Sequence, residues 1–148
     1  MLAAMLAEKS VTSSFGARFS VPFALASIIY HGQSGLESYT DEAVANPTVQ
    51  ALASRVDLQE DKSHTARYPK ETPCDIQIVM RDGTSYTGRC VLMKGEPANP
   101  HPPDRLRAKF FDLGTPVWGE AQTRRLFDGL MQVETIPDFR AFAAGFAL

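Results

Sequence analysis

The dipeptide Asp82-Gly83 lies between two runs of alternating, β-prone residues, and it constrains the fold more than any other feature. The runs cover residues 75–80 and 84–91. Asp-Gly is favoured in two-residue hairpin loops because both loop residues need a positive φ. We therefore predict an antiparallel β-hairpin with Asp82 and Gly83 as its turn, in which position 75, rather than 74, lies opposite Cys90.

Both cysteines, Cys74 and Cys90, fall in the predicted strands and lack the CxxC spacing of a redox motif. A catalytic thiol needs a lowered pKa, usually from a neighbouring histidine or a helix N-terminus. We interpret both cysteines as buried structural thiols. A thiol enzyme that uses one of them is kept as an alternative.

A helix is predicted ahead of the hairpin. Ser20 is suited to cap its N-terminus, and Pro22 is tolerated in the first turn, where its missing N–H costs little. Residues 23–30 are apolar almost all the way round, which indicates a buried helix. Gly32 is predicted to end it.

Asn46-Pro47 predicts a second helix, as an N-cap followed by proline at the first helical position. Three residues form its apolar stripe before the helix ends near Arg55: Val49, Leu52 and Ala53. Residues 56–58 alternate and are interpreted as a possible strand. The polar residues 59–70 are predicted to form a solvated loop.

The segment after the hairpin, residues 94–103, contains four prolines and is predicted to be an extended, stiff connection. Three helix starts follow, at Pro103-Asp104, Gly119-Glu120 and Pro137-Asp138, and the last helix is expected to run from Phe139 to Leu148. We assign residues 101–148 to a C-terminal helical segment of a single α+β domain that covers residues 1–148.

The composition of the chain argues against several classes of protein. The chain has 148 residues, a net charge of −2 and 44% hydrophobic residues. It is too apolar for disorder, lacks an apolar run of about 20 residues for a membrane span, and lacks the basic excess of a dedicated nucleic-acid binder. The short apolar stretch at residues 1–7 has no basic start, so it is interpreted as a helix end or frayed lead-in, and a cytoplasmic location is predicted.

Neither a metal site nor a cofactor is expected. The three histidines, His31, His64 and His101, lack the short spacing of a metal site and have no acidic cluster beside them. The grouped carboxylates, at residues 41–42, 60–61 and 134 with 138, suit helix capping and solvation better than acid–base catalysis.

Two places could meet an anionic ligand. Arg18 and Ser20 precede the first helix, where free N–H groups and the helix dipole suit a carboxylate. Lys94 stands beside Gly95 on the proline-rich loop. The plainer interpretations are an ordinary N-cap with a solvated arginine, and a surface lysine.

Several segments together resemble the 2-methylcitrate dehydratase (MmgE/PrpD) family. Residues 15–26, with Gly32 further on, look like the family's "FS-x-x-Y-x-x-A … G" segment. The later pieces follow in the family's order: Thr40-Asp41-Glu42-Ala43, Pro47, Val56, Arg81-Asp82-Gly83-Thr84, Lys94-Gly95, Asn99-Pro100 and Lys109-Phe110. The resemblance covers the chain from about Met1 to Leu148.

The resemblance implies the smaller, lid part of a cofactor-independent enzyme. Members include 2-methylcitrate dehydratase, cis-aconitate decarboxylase and iminodisuccinate epimerase, which act on small polycarboxylates in a cleft between a helical domain and an α+β lid. Most of the family's acid–base residues lie in the helical domain, which has no counterpart here, so no catalytic residue is assigned. Phe23 replaces the tyrosine of the family's segment. The implied substrate-binding residues are Arg18, Ser20, Phe23 and Lys94.

We therefore predict an α+β fold, with a small antiparallel sheet packed on the helix of residues 23–30 and flanked by C-terminal helices. The leading hypothesis is a lid-type fragment of a lyase, inactive alone, which binds a di- or tricarboxylate and forms a homodimer or recruits a helical domain. The alternative is a non-catalytic module that binds carboxylates or only associates. Four residues are expected to line the contact patch: Phe139, Phe142, Phe146 and Leu148.

Overall fold

The computed structural model describes residues 6–146, and the chain divides between Lys70 and Glu71 into two compact units. Within the described residues there are eight α-helices, two 3₁₀ turns and one antiparallel sheet of two strands. The predicted α+β class is therefore confirmed. Most of the predicted N-terminal lead-in, and Leu148 of the predicted patch, lie outside the described residues.

The first unit is helical. Its elements are α1 Ser14–Ala17, α2 Val21–His31, a 3₁₀ turn Leu36–Tyr39, α3 Asp41–Ala45, α4 Pro47–Ala53 and the single turn α5 Lys62–Thr65. The loop predicted for residues 59–70 thus contains α5, whose N-cap Asp61 accepts a hydrogen bond from the Ser63 N–H (2.7 Å). The hydrogen bonds from Ser63, the largest cause, lower the pKa of Asp61.

Helix α2 begins and ends as predicted. The Ser20 side chain accepts a hydrogen bond from the Phe23 N–H, and Gly32 ends the helix in the left-handed conformation (φ 75°). The prediction of burial on all sides is wrong. Phe23, Ala26 and Ser27 are buried, but three large side chains of the last turns are about half exposed: Ile28, Ile29 and Tyr30.

Helix α4 supplies the other side of the core. Its N-cap Asn46 accepts hydrogen bonds from the N–H groups of Thr48 and Val49, as predicted. Val49 and Ala53 are fully buried and pack in one cluster with five further residues, which are Val11, Ala17, Phe23, Ala26 and Val44. Leu52 of the predicted stripe packs partly buried against it.

The strand predicted for residues 56–58 is wrong. Arg55 and Val56 donate their N–H groups back to the carbonyls of Leu52 and Ala53 (3.0 and 3.1 Å). These bonds extend the end of α4 as a turn, and no strand partner lies beside the segment within the described residues. Alternation alone does not make a strand, because a strand also needs a neighbour for its backbone groups.

The second unit contains the sheet and four further elements. The strands are β1 Cys74–Val79 and β2 Ser85–Cys90, and the further elements are α6 Pro103–Trp118, α7 Glu120–Leu130, a 3₁₀ turn Val133–Thr135 and α8 Phe139–Ala144. All three predicted helix starts are confirmed. Helix α8 is shorter than predicted, since Gly145 caps its end.

The hairpin is confirmed, but its loop has three residues rather than two. Met80 and Thr84 close the ladder (N···O 2.8 Å), so the loop covers residues 81–83. Only Gly83 of these has a positive φ (86°), the arrangement of a turn followed by a bulged glycine. The extra loop residue shifts the register by one, and Cys74, not position 75, lies opposite Cys90.

Asp82 stabilises this turn. Its carboxylate accepts a hydrogen bond from the Thr84 N–H (2.9 Å), and the bond lowers the pKa of Asp82. Among residues 6–146, the sheet pairs β1 with β2 and has no third strand. The predicted packing of this sheet on α2 joins elements of the two units and stays a prediction, as does the assignment of one domain to residues 1–148.

The first part of the proline-rich segment, residues 94–99, is folded rather than extended. The Gly95 N–H donates to the Asn99 carbonyl and the Asn99 N–H to the Glu96 carbonyl, both at 2.8 Å. Gly95 adopts a positive φ of 105°, which reverses the chain. The prediction of a stiff, extended connection is therefore wrong for residues 94–99, because local backbone bonds around Asn99 fold the chain there, whereas Pro102 keeps an extended backbone (φ −58°, ψ 142°).

Candidate functional site

Arg18 follows α1 and precedes the cap of α2. Its backbone N–H donates to the Phe15 carbonyl (3.2 Å), which holds the residue at the end of α1. The side chain is exposed and has no carboxylate partner within the described residues 6–146. The guanidinium therefore keeps a positive charge that an anion from solution can reach.

The Ser20 hydroxyl is fully engaged in hydrogen bonds within the protein. The side chain is 2% exposed; its hydroxyl donates to the Glu8 carbonyl and accepts from the Phe23 N–H (3.0 Å). Val21 donates its N–H to the Leu6 carbonyl and Ala24 to the Ser20 carbonyl, both at 3.0 Å. Since Pro22 has no N–H, the first turn of α2 keeps no free donor. The free N–H groups expected here for a carboxylate are absent.

Phe23 lies in the first turn of α2 and is fully buried. Its ring packs near the ring of Tyr39 at 6.1 Å between centroids. It is the largest fully buried side chain among the described residues. Phe23 therefore fixes the position of α2, the helix that follows Arg18 in the chain. A ligand could contact the Phe23 ring only if the core opened.

Lys94 belongs to the second unit, whereas Arg18, Ser20 and Phe23 belong to the first. Its ammonium donates to the Asn99 side-chain carbonyl (2.9 Å), and the Asn99 amide donates to the Leu92 carbonyl (2.9 Å). Because the partner is a neutral amide, Lys94 remains an exposed positive charge, held by a folded loop.

Asn99 is the residue that sequence reasoning did not assign to the site. It positions Lys94 through its side chain and bends the loop through its backbone, with Gly95 and Glu96 as partners. A signal existed, since asparagine favours turns through side-chain hydrogen bonds to nearby groups. The Asn99-Pro100 pair was one of the segments that resemble the family, but no structural role was assigned to it.

The prediction of buried thiols is wrong, because both Cys74 and Cys90 are exposed. All residues of the two strands except Ile76 are exposed, so the residues at the end of the sheet have little cover. No group of three or more histidine, cysteine or acidic side chains arranged to hold a metal ion occurs within residues 6–146.

The predicted C-terminal patch is partly covered within the second unit. Phe139 is 52% exposed, but Phe142 and Phe146 are half-buried. A Cβ at Gly129 would lie 2.4 Å from the Phe142 ring, and the Trp118 indole donates to the Phe146 carbonyl (3.1 Å). Residues 142 and 146 therefore pack on α6 and α7 instead of forming an open surface.

Together these features define an α+β fold that presents exposed cations within its described part. In a comparison with protein families, the model of the MmgE/PrpD C-terminal domain matches residues 3–132. The chain belongs to the MmgE/PrpD family and carries its C-terminal domain. The resemblance drawn from the ordered segments is confirmed.

A search of curated proteins gave no match for the chain. Of the described helices, none combines the length and the apolar character that crossing a membrane requires.

Proposed function

We propose that this chain is the lid-type part of a 2-methylcitrate dehydratase-like lyase and contributes substrate contacts without the proton-transfer groups. The substrates are small di- or tricarboxylates, and the chain is inactive alone. The match to the C-terminal domain over residues 3–132 is the observation that carries this proposal. A cytoplasmic location is part of it.

Arg18 and Lys94 are the proposed contacts to substrate carboxylates. Each is exposed, and neither is neutralised by a carboxylate within the described residues. Ser20 and Phe23 support the segment that carries Arg18, because Ser20 caps α2 and the buried Phe23 ring anchors that helix in the core. Asn99 supports Lys94, so each cation is backed by its own local structure.

The proposed inactivity follows from the chemistry. Removing a proton next to a carboxylate needs a positioned base and groups that stabilise the developing negative charge. The two cations serve only the second need. The proposed partner is a helical domain that supplies the base, either from a separate chain or from a longer form of this one.

Citrate binding tests the contacts. At a citrate concentration about tenfold above Kd, binding stabilises the folded chain by about 1.4 kcal/mol. For a chain of this size, that stabilisation raises Tm by roughly 3–6 °C. Acetate at the same ionic strength should give a smaller rise, because acetate carries one negative charge whereas citrate carries up to three, so acetate is attracted less strongly to each cation.

Matched variants separate a site from general charge effects. Arg18→Gln and Lys94→Gln should each reduce the citrate-induced rise in Tm. Arg55→Gln and Lys70→Gln remove the same charge at other exposed positions and should leave it unchanged. Equal loss in all four variants would show non-specific screening and contradict the assignment.

A turnover assay tests the inactivity directly. The purified chain is incubated with cis-aconitate and 2-methylcitrate, and products are followed by chromatography. We expect no turnover above the buffer rate. An enzyme-like rate that Arg18→Gln abolishes would overturn the proposal, because the proton-transfer groups would then belong to this chain.

A second candidate function is association without catalysis, favoured by the exposed end of α2. Three apolar side chains there are 42–53% exposed: Ile28, Ile29 and Tyr30. A cluster of exposed apolar groups typically marks a contact surface. Sedimentation should show a concentration-dependent dimer that Ile29→Lys weakens, and a monomer at all concentrations would refute this function.

A further inference from the structure

The corrected register of the hairpin places the two thiols of the chain side by side. Cys74 begins β1 and Cys90 ends β2, and they are direct partners across the antiparallel pair. Both side chains are exposed, and both sulfurs are free thiols. The sequence analysis predicted a register shifted by one residue, with position 75 opposite Cys90.

Both thiols lie on one face of the sheet, because partners across an antiparallel pair point the same way. Two residues further along the strands, the Ile76 side chain lies over Gly88, where an added Cβ would meet it at 3.1 Å. The other face carries the ion pair of Asp75 with Arg89 (2.6 Å). The cysteines therefore share the apolar face of the hairpin.

Backbone geometry permits a bond between them. Directly opposite residues in antiparallel strands have Cα atoms about 4.5–5.5 Å apart. Disulfides span Cα separations of roughly 4.4–6.8 Å. In the free state the Cys90 thiol lies 3.2 Å from the Leu92 carbonyl, and the Cys74 thiol 3.8 Å from the Asp75 carbonyl. Rotation about the Cα–Cβ bonds exchanges these contacts for a sulfur–sulfur bond.

We propose that Cys74 and Cys90 form a reversible intramolecular disulfide across the open end of the hairpin. The oxidant is a low-molecular-weight disulfide of the glutathione class. One cysteine thiolate attacks a sulfur of that disulfide, forms a mixed disulfide and releases one small thiolate. The second cysteine thiolate attacks the protein sulfur of the mixed disulfide and releases the other small thiolate.

The exchange balances. The protein loses two electrons and two protons, the small disulfide gains two electrons, and the two protons end on the two small thiols. A high concentration of the small thiol reverses both steps. The site is thus a redox-dependent modification site that needs no metal and no further protein.

The bond has a structural consequence for the candidate site. A sheet of two strands is marginally stable without a covering surface. The disulfide would join the point where the chain enters β1 to the point where it leaves for the Lys94 loop. Oxidation is expected to slow amide exchange in both strands by about 10–100-fold, because it restricts the open chain.

The test equilibrates the full chain in glutathione buffers of varied redox ratio, followed by acid quenching and mass spectrometry. We expect a product lighter by two hydrogens, in at least about tenfold excess over the mixed disulfide at millimolar glutathione, since the paired thiol has a high effective concentration. Cys74→Ser and Cys90→Ser should yield only the mixed disulfide.

The double variant Cys74→Ser with Asp75→Cys is the matched control. It keeps two thiols at the same end of the hairpin but moves one to the opposite face, so it should give mixed disulfides. Circular dichroism verifies that each variant is folded. Doubly glutathionylated chain or disulfide-linked dimers as the main product from the unaltered protein would overturn the proposal, and so would equal bridging in the double variant.

Discussion

Replacing Phe23 by alanine tests the core that holds α2 in place. Phe23 is fully buried in a cluster whose other six members are alanine or valine. Its ring is therefore the main apolar volume of that core. Truncating a buried phenylalanine to alanine typically costs about 3–5 kcal/mol, because the transfer free energy is lost and a cavity remains.

That cost is large for this unit. A stability of about 0.05–0.15 kcal/mol per residue gives the roughly 65 described residues of the first unit about 3–10 kcal/mol. Phe23→Ala should therefore leave the unit marginal or unfolded. Phe23→Leu keeps most of the apolar area and should cost about 1–2 kcal/mol.

Amide hydrogen exchange read by mass spectrometry is the assay, because it resolves α2 and α4 by peptide. A loss of 3–5 kcal/mol corresponds to exchange about two to four decades faster in both helices. Phe15→Ala is the control, since Phe15 is 72% exposed and its truncation should cost less than about 1 kcal/mol. Unchanged protection of α4 in Phe23→Ala would refute the reasoning, because α4 would then not depend on the ring.

Three further outcomes are expected. Asn46→Ala removes the cap of α4 and should cost about 1 kcal/mol in urea unfolding; a loss near zero would contradict the capping bonds. Gly129→Ala sets a methyl against the Phe142 ring and should cost roughly 1–3 kcal/mol, whereas a neutral effect would show that α8 is not packed there. Because the pKa of Asp82 is lowered in the folded chain, its contribution is present above about pH 4 and is lost as pH falls through the folded pKa. NMR of the turn should show this loss, and Asp82→Asn should abolish that pH dependence.

Local sequence signals identified the starts of the helices that follow a predicted cap, although not the end of α8. Ser20, Asn46 and Asp138 cap helices as predicted, because a capping side chain bonds to N–H groups only two or three residues away. The hairpin was found for the same reason. The family was also identified from the sequence, since the order of its short segments along the chain can be recognised without knowing which residues are in contact.

Predictions that needed distant partners were wrong or incomplete. One side of α2 was expected to be covered and is exposed, because periodicity shows which residues are apolar but not what lies against them. The thiols were expected to be buried for a similar reason. Of the candidate site, the sequence supplied the cations Arg18 and Lys94 but not Asn99, whose role depends on a loop that proline content had suggested was extended.

The amino-acid sequence by itself determined the capped helix starts, the presence of a turn at Asp82 and membership of the MmgE/PrpD family, because these depend on neighbours along the chain. Only the tertiary structure decided the register that pairs Cys74 with Cys90, since one extra loop residue moves every partner across the strands. It also decided that the α2 N-terminus keeps no free donor, because the Leu6 and Glu8 carbonyls fold back onto it.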